Sequence, residues 1–195
     1  MKKIIVVTGG AGFIGSNLIK YLINKTNYKI ISIDNYSTGK KKNHIKSNRV
    51  KYFNCENKNI STKLNKFKKK ILKFFLFGEF SRIFMSFKLI DQCYNSNMLG
   101  TFNVVKFCSE NNIRIIYSAS SSKFGNDGKD EHLSPYSWSK SKNIEFIKNF
   151  SKWYNLKYEI LYFYNVYGNN HIKNNRMAAV IGIFESQFLK KKPLT

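Results

Sequence analysis

The sequence predicts an α/β fold built on a doubly wound parallel sheet, and three observations carry that expectation. Short β-branched runs recur along the whole chain, amphipathic helical patterns separate them, and the first run ends directly in a cluster of glycines. Runs that are apolar on both faces suit strands buried within a parallel sheet. Strands alternating with helices pair in parallel through helical crossovers, which places helices on both faces of the sheet.

Lys3 to Val7 reads as the first strand, and Ile14, Leu18 and Leu22 recur at helical spacing just after the glycines. Lys29 to Ile33 is a second strand ending at Asp34, Val50 to Phe53 a third, and Lys73 to Phe77 a fourth. Asn97 to Cys108 has a helical pattern, with Met98, Thr101, Val104, Val105 and Cys108 toward the core. Ile113 to Tyr117 is a fifth strand running into a serine cluster. Ser134-Pro135 opens a long helix from Tyr136 to about Tyr154, with Ile144, Ile147 and Phe150 on one side. Tyr158 to Tyr162 is a sixth strand and Met177 to Leu189 another amphipathic helix, while Lys192-Pro193-Leu194-Thr195 has the look of an approach to a further strand. No internal repeat is visible.

At 195 residues and 43% hydrophobic content the chain can bury the core of one compact domain. No apolar run approaches the roughly 20 residues of a membrane span, and Ile4 to Val7 is too short for a signal-peptide core. The expectation is a cytoplasmic protein without membrane contact. Cys55, Cys93 and Cys108 form no C-x-x-C pair and lie near no histidine at ligand spacing, so they read as reduced thiols, and no metal site is expected. The net charge of +23 could mark a nucleic-acid footprint. Against that, only four of the 34 basic residues are arginine, the side chain whose fork binds two phosphate oxygens at once. The runs Lys40 to Lys42, Lys68 to Lys70 and Lys190 to Lys192 read as solvated loops and helix ends, so nucleic acid is not the expected partner.

The segment from Thr8 to Ser16, TGGAGFIGS, satisfies G-x-G-x-x-G at Gly10, Gly12 and Gly15, and G-x-x-G-x-x-G at Gly9, Gly12 and Gly15. Missing β-carbons let the chain turn tightly and let a pyrophosphate approach the backbone at a helix N-terminus. The motif follows a strand, opens a helix and lies within a strand-helix-strand unit, the context of a Rossmann-type dinucleotide site. Asp34 ends the second strand, where a carboxylate accepts hydrogen bonds from the adenosine ribose and repels a 2′-phosphate. That favours NAD, although Lys40 to Lys42 leave NADP open.

Tyr-x-x-x-Lys arises by chance in a chain with 12 tyrosines and abundant lysine, and Tyr36 with Lys40 is such a pair in a predicted loop. Tyr136 and Lys140 differ because they share one face of a predicted helix and follow Ser120, which ends the fifth strand. Ligands bind at that edge of a parallel sheet. A neighbouring ammonium favours a phenolate over a phenol, so Tyr136 can act as a general base, with Ser120 bonding the reacting hydroxyl and relaying its proton.

In these motifs the chain resembles the extended short-chain dehydrogenases, the NAD-dependent epimerase/dehydratase family, and within it most closely the UDP-glucose 4-epimerases. Further marks are Asp34 to Gly39 (DNYSTG), Asn97 to Thr101 (NMLGT), Ser118-Ala119-Ser120 with Phe124-Gly125, Ser134 to Lys140 (SPYSWSK) and Tyr164 to Gly168 (YNVYG). The resemblance implies that Gly9, Gly12, Phe13, Ile14 and Gly15 hold the pyrophosphate, and that Asp34, Asn35, Ser37, Thr38 and Gly39 surround the ribose. It places Glu56 near the adenine, backbone of Phe77 and Gly78 along the cofactor, and Asn97, Lys140 and Tyr164 in the cofactor site, with Tyr164 against the nicotinamide. Ser120, Tyr136 and Asn165 would contact a nucleotide-sugar substrate, and Ser120, Tyr136 and Lys140 would be catalytic. The implied reaction is reversible hydride transfer at sugar C4. Dehydratase relatives carry Asp-Glu after the catalytic hydroxyl residue and decarboxylating relatives tend to carry glutamate there, whereas this chain has Ser121 and Ser122, which suits epimerisation.

The resemblance also implies a homodimer through the helices starting near Asn97 and Tyr136. It makes residues 1–195 an NAD-binding domain in which 165–195 begins a substrate-binding region, most of which is lacking. A non-catalytic NAD-binding remnant, or a sugar-nucleotide dehydratase or decarboxylase relative, therefore stays open beside the epimerase. Departures from the pattern are Leu76 in place of a usual histidine, Glu79 interrupting a run of small residues, and Lys123 in place of an apolar residue.

Overall fold

The computed structural model describes residues 3–173 and 178–194. The chain divides into a unit ending at Phe163 and a second unit from Tyr164 onward. The first unit holds six strands: β1 (Ile4–Thr8), β2 (Lys29–Asp34), β3 (Val50–Asn54), β4 (Ile71–Leu76), β5 (Arg114–Ser120) and β6 (Tyr158–Phe163). They form one sheet in the order β3-β2-β1-β4-β5-β6, every pair parallel. This is the doubly wound α/β fold that the sequence predicts.

Every residue of β1 is buried, as the central strand of such a sheet requires. Alternate residues face opposite layers. Ile5 and Val7 pack with Ile30 against Ile19 and Leu22 of helix α1 (Phe13–Lys25). Ile4 and Val6 face the larger layer, where Phe74, Ile115 and Tyr117 meet α5 (Gly100–Glu110) and α6 (Pro135–Tyr154) through Val104, Val105, Cys108, Ile144 and Ile147. From β1 the chain winds outward through β2 and β3, then returns to β4 on the other side of β1. The crevice beyond the carboxyl ends of β1 and β4 is therefore the switch point at which sheets of this kind bind ligands.

Between β3 and β4 lies a short α2 (Ile60–Leu64), whose Ile60 and Leu64 are fully buried. Two further short helices, α3 (Ile83–Lys88) and α4 (Ile90–Tyr94), go beyond the sequence pattern, because Phe84, Phe87, Ile90 and Tyr94 stay exposed and give no one-sided apolar stripe. The helix expected from Asn97 instead enters through α4 and a wide π turn over Asn95–Leu99, a distortion that recurs at functional sites. Helix α6 begins as read: the Ser134 hydroxyl accepts from the Ser137 amide at 3.0 Å, and Pro135 opens the first turn. Asn155 in the left-handed conformation ends it.

Within the second unit, α7 (Val180–Leu189) packs close to the preceding chain, since a β-carbon on Gly182 would fall 2.4 Å from the Ile172 carbonyl oxygen. Glu185 on this helix pairs with His171 at 2.7 Å and with Lys173. The expected start at Met177 and the end at Thr195 lie outside the described residues. Among the described residues no helix is long and apolar enough to cross a membrane, no group of ligands could hold a metal, and the three cysteines are free.

Candidate active site

The glycine turn is shaped by close backbone approaches. Gly9 has φ +67°, and a β-carbon there would sit 2.8 Å from Cα of Gly78, so both conformation and space demand glycine. At Gly15 a β-carbon would fall 2.2 Å from the Gly9 carbonyl oxygen, because α1 starts flush against the turn. At Gly12 only that oxygen lies near, at 3.1 Å, so a side chain would stand in the cleft itself. Gly12 is the N-cap of α1 and provides no side-chain cap. Phe13, Ile14 and Gly15 form the first turn, the positive end of the helix. A pyrophosphate fits this cradle, with the dipole and the missing side chain both in its favour.

Asp34 is buried at the end of β2 and accepts from the Ala11 amide at 2.9 Å and the Tyr36 amide at 2.8 Å. Each carboxylate oxygen accepts more than one bond, so capacity for ribose hydroxyls remains. The loop after it folds back on the glycine turn: the Lys40 amide and the Asn43 side chain both donate to the Ala11 carbonyl. Gly39 belongs here because a β-carbon would meet both Asp34 oxygens at 2.8 Å. Asn35, Ser37 and Thr38 form the exposed rim, with the Ser37 amide donating to Asn35. Glu56, two residues past Asn54, the β3 residue in register with Asp34, is exposed and pairs with Lys58 at 2.9 Å.

The backbone amides of Phe77 and Gly78 donate to the Thr8 hydroxyl at 3.1 and 2.9 Å, locking the loop after β4 onto the end of β1. Asn97 is fully buried, but its side chain is spent on bracing. Its oxygen accepts from the Phe80 amide at 2.7 Å and its nitrogen donates to the Phe80 carbonyl and the Ser139 hydroxyl.

Ser120 ends β5 and accepts from the Ser122 amide and hydroxyl at 3.2 and 3.0 Å. Tyr136 stands in the first turn of α6, its amide donating to the Ser86 hydroxyl, and its phenol lies within electrostatic reach of Arg82 and Tyr117. Lys140, one turn on, is buried. Its ammonium donates to Glu79 Oε2 and to the Ser118 carbonyl, both at 2.5 Å. Among the described residues no side-chain hydrogen bond joins Ser120, Tyr136 and Lys140 to one another. The structure thus brings the three to one edge of the sheet and adds a fourth member.

Glu79 stands out in the sequence only as an interruption. Its side chain is 1% exposed, and its Oε1 accepts from Thr101 at 2.7 Å, Asn143 at 3.2 Å and Tyr117 at 3.4 Å. Burial, with the Glu79 charge beside it, pushes the Tyr117 phenol well above its ordinary value, so Tyr117 stays a donor. A signal was available: Glu79 is the one acidic residue between Glu56 and Asp91, set in an apolar run of a strongly basic chain.

Tyr164 and Asn165 open the second unit and are exposed.

Lys123 also finds a reason. It pairs with Glu131 at 2.6 Å, on the segment between β5 and α6. The hydrogen bonds from Lys123 and then Ser141 lower the Glu131 carboxyl to about 2. A carboxyl depressed by folding adds stability above its unfolded value near 4.3, and that stability is lost as pH falls toward about 2. Lys123→Met is therefore expected to be less stable than the parent at pH 6, with the gap closing as acid unfolding is followed down to about pH 2. A gap independent of pH would refute the pairing.

Residues 5–195 match the NAD dependent epimerase/dehydratase family. A putative UDP-glucose 4-epimerase of Methanocaldococcus jannaschii is 33% identical over 200 residues, covering 96% of this chain and 64% of that protein. Among solved structures, the UDP-N-acetylglucosamine 4-epimerase of Methanobrevibacter ruminantium M1, in complex with UDP-N-acetylmuramic acid, superposes with a TM-score of 0.86 at 30% identity over 98% of this chain and 64% of that one. The UDP-glucose 4-epimerase of Thermus thermophilus, complexed with NAD, shares the fold with a TM-score of 0.84 at 22% identity, covering 97% of this chain and 64% of that one. The chain spans a little under two thirds of the length of these relatives.

Proposed function

Because the chain belongs to the NAD dependent epimerase/dehydratase family, we propose that it carries the NAD-binding and catalytic part of a sugar-nucleotide 4-epimerase acting on a UDP-hexose. One observation carries the reading: the glycine turn, Asp34, and the Ser120, Tyr136 and Lys140 set all lie at the carboxyl edge of one parallel sheet. Gly9, Gly12, Phe13, Ile14 and Gly15 would hold the pyrophosphate, Asp34 with Asn35, Ser37, Thr38 and Gly39 the adenosine ribose, and Glu56 the adenine side. Phe77, Gly78, Asn97 and Lys140 would line the rest of the cofactor site.

When bound, NAD supplies the acceptor for hydride from sugar C4 and the donor that returns it to the opposite face. Tyr136 takes the proton from the 4-hydroxyl as its C4 hydrogen leaves with both electrons, giving a 4-keto sugar, and returns that proton when hydride comes back. Ser120 bonds the 4-oxygen and relays the proton. Lys140, one helical turn from Tyr136, would help to hold the cofactor beside it. By family resemblance, Tyr164 would serve the nicotinamide and Asn165 the sugar nucleotide, with 165–195 the start of a substrate-binding region. Ser121 and Ser122 offer no carboxylate for dehydration or decarboxylation.

The exposed apolar face of α3 and α4, with Leu133 and Trp138 around a cavity of about 340 Å³, supports a homodimer through the helices near Asn97 and Tyr136. Three free cysteines suit the reducing cytoplasm.

The test is purification followed by assay for bound NAD(H) and for conversion of UDP-glucose to UDP-galactose. Retained cofactor with turnover supports the proposal. Retained cofactor without turnover supports a non-catalytic NAD-binding remnant, a reading favoured by the pairing of Lys140 with Glu79 instead of Tyr136. Absence of cofactor binding removes both.

A further inference from the structure

We propose that Glu79 is a positioning residue, the fixed counter-ion that keeps Lys140 charged and in place at the floor of the cofactor cleft. The role of Lys140 toward cofactor rests on the function proposed above, whereas the pairing rests on geometry alone.

The side chains of Lys140 and Glu79 are 6% and 1% exposed, so water reaches neither charge freely. Burial by itself disfavours an ammonium, and an opposite charge in contact restores it. Glu79 Oε2 provides that charge at 2.5 Å, and the Ser118 carbonyl accepts a second N–H at 2.5 Å. The Ser118 hydroxyl accepts a longer third contact at 3.4 Å.

The carboxylate is itself immobilised from three elements: Thr101 of α5, Tyr117 of β5 and Asn143 of α6 all face its other oxygen. Asn143 also donates to the Asn97 carbonyl and the Tyr117 hydroxyl, so the network closes on itself. The other titratable or charged groups around the pair are Cys93 of α4, within electrostatic reach of both members, and Tyr136 of α6, which reaches Tyr117 and the Arg82 guanidinium. Glu79 stands alone among them as a carboxylate.

The placement has a mechanical consequence. Glu79 belongs to the loop whose Phe77 and Gly78 amides are tied to Thr8 at the glycine turn, and whose Phe80 is braced by Asn97. One loop therefore lines the cofactor cleft and carries the partner of the catalytic lysine. A displacement of that backbone moves Lys140 as well.

The test is residue-resolved reductive methylation of the whole, cofactor-free chain with formaldehyde and cyanoborohydride, read by peptide mass spectrometry, with exposed Lys148 as internal reference. In the parent chain at pH 8, Lys140 should be modified at least about tenfold more slowly than Lys148. Glu79→Gln keeps the shape and removes the charge, so Lys140 should shed its proton at lower pH and react about tenfold faster than in the parent. Glu79→Asp restores a carboxylate and should return most of the protection. Calorimetric titration with NAD⁺ supplies the functional readout: in Glu79→Gln affinity should decline at a pH about one unit lower than in the parent. A folded Glu79→Gln chain with unchanged Lys140 reactivity overturns the proposal. So does a parent chain in which Lys140 reacts as fast as Lys148, a result that needs no variant. If labelling behaves as expected while no variant, parent included, binds NAD⁺, the pairing stands and the proposed function fails.

Discussion

Lys140→Met is expected to lower the unfolding free energy by about 3–5 kcal/mol, because it strands a buried carboxylate that the rest of the network cannot neutralise. Thr101, Tyr117 and Asn143 would still donate to Glu79, but they are neutral. For a chain of this size the loss corresponds to a fall in Tm of roughly 6–20 °C. The companion variant decides the cause. Glu79→Gln with Lys140→Met removes both charges, and replacing a buried pair by neutral groups of similar volume is often close to neutral, so the double variant should recover most of the stability. Thermal melts of the parent, the two single variants and the double variant at pH 7 make the comparison. A Lys140→Met chain within about 1 kcal/mol of the parent would mean that the pair is not buried as described.

Tyr136→Phe should reduce turnover of a UDP-hexose by about 10²- to 10⁴-fold, the usual contribution of a positioned acid–base group, while leaving NAD⁺ affinity and Tm near parental values. The structure explains why the effect should be clean. Among the described residues the Tyr136 hydroxyl makes no hydrogen bond, and its amide, which does bond Ser86, is untouched by the substitution. Deleting this oxygen therefore leaves no buried partner unsatisfied, unlike the loss of Lys140. The measurement is initial rate under saturating NAD⁺, with cofactor affinity determined separately on the same preparations. Turnover equal to the parent would remove Tyr136 as the base.

Much of the site was legible residue by residue. The glycine turn could be read because its requirement is local: φ +67° at Gly9 and the flush start of α1 at Gly15 both depend on residues adjacent in sequence. Asp34 followed from its place at the end of a strand, and the start of α6 from a serine before a proline. Strand boundaries slipped by a residue or a few. The fourth strand begins at Ile71 instead of Lys73, and the fifth continues through Ser120, since ladder pairing with β6 extends as far as Phe163. Helices α3 and α4 escaped because their aromatic residues are exposed, so apolar periodicity had nothing to report.

The sequence by itself determined the class of the fold and the glycine turn after the first strand, and singled out Ser120, Tyr136 and Lys140 as candidates, because these readings rest on local patterns of neighbouring residues. Tertiary structure alone decided what those side chains touch. Lys140 meets a carboxylate 61 positions away, and Asn97 braces Phe80 and Ser139, once β4, β5, α5 and α6 have packed around them. A buried charge takes its partner from whichever element the fold brings within contact distance, and hydrophobic periodicity records which face of an element is inward but not which residue waits there.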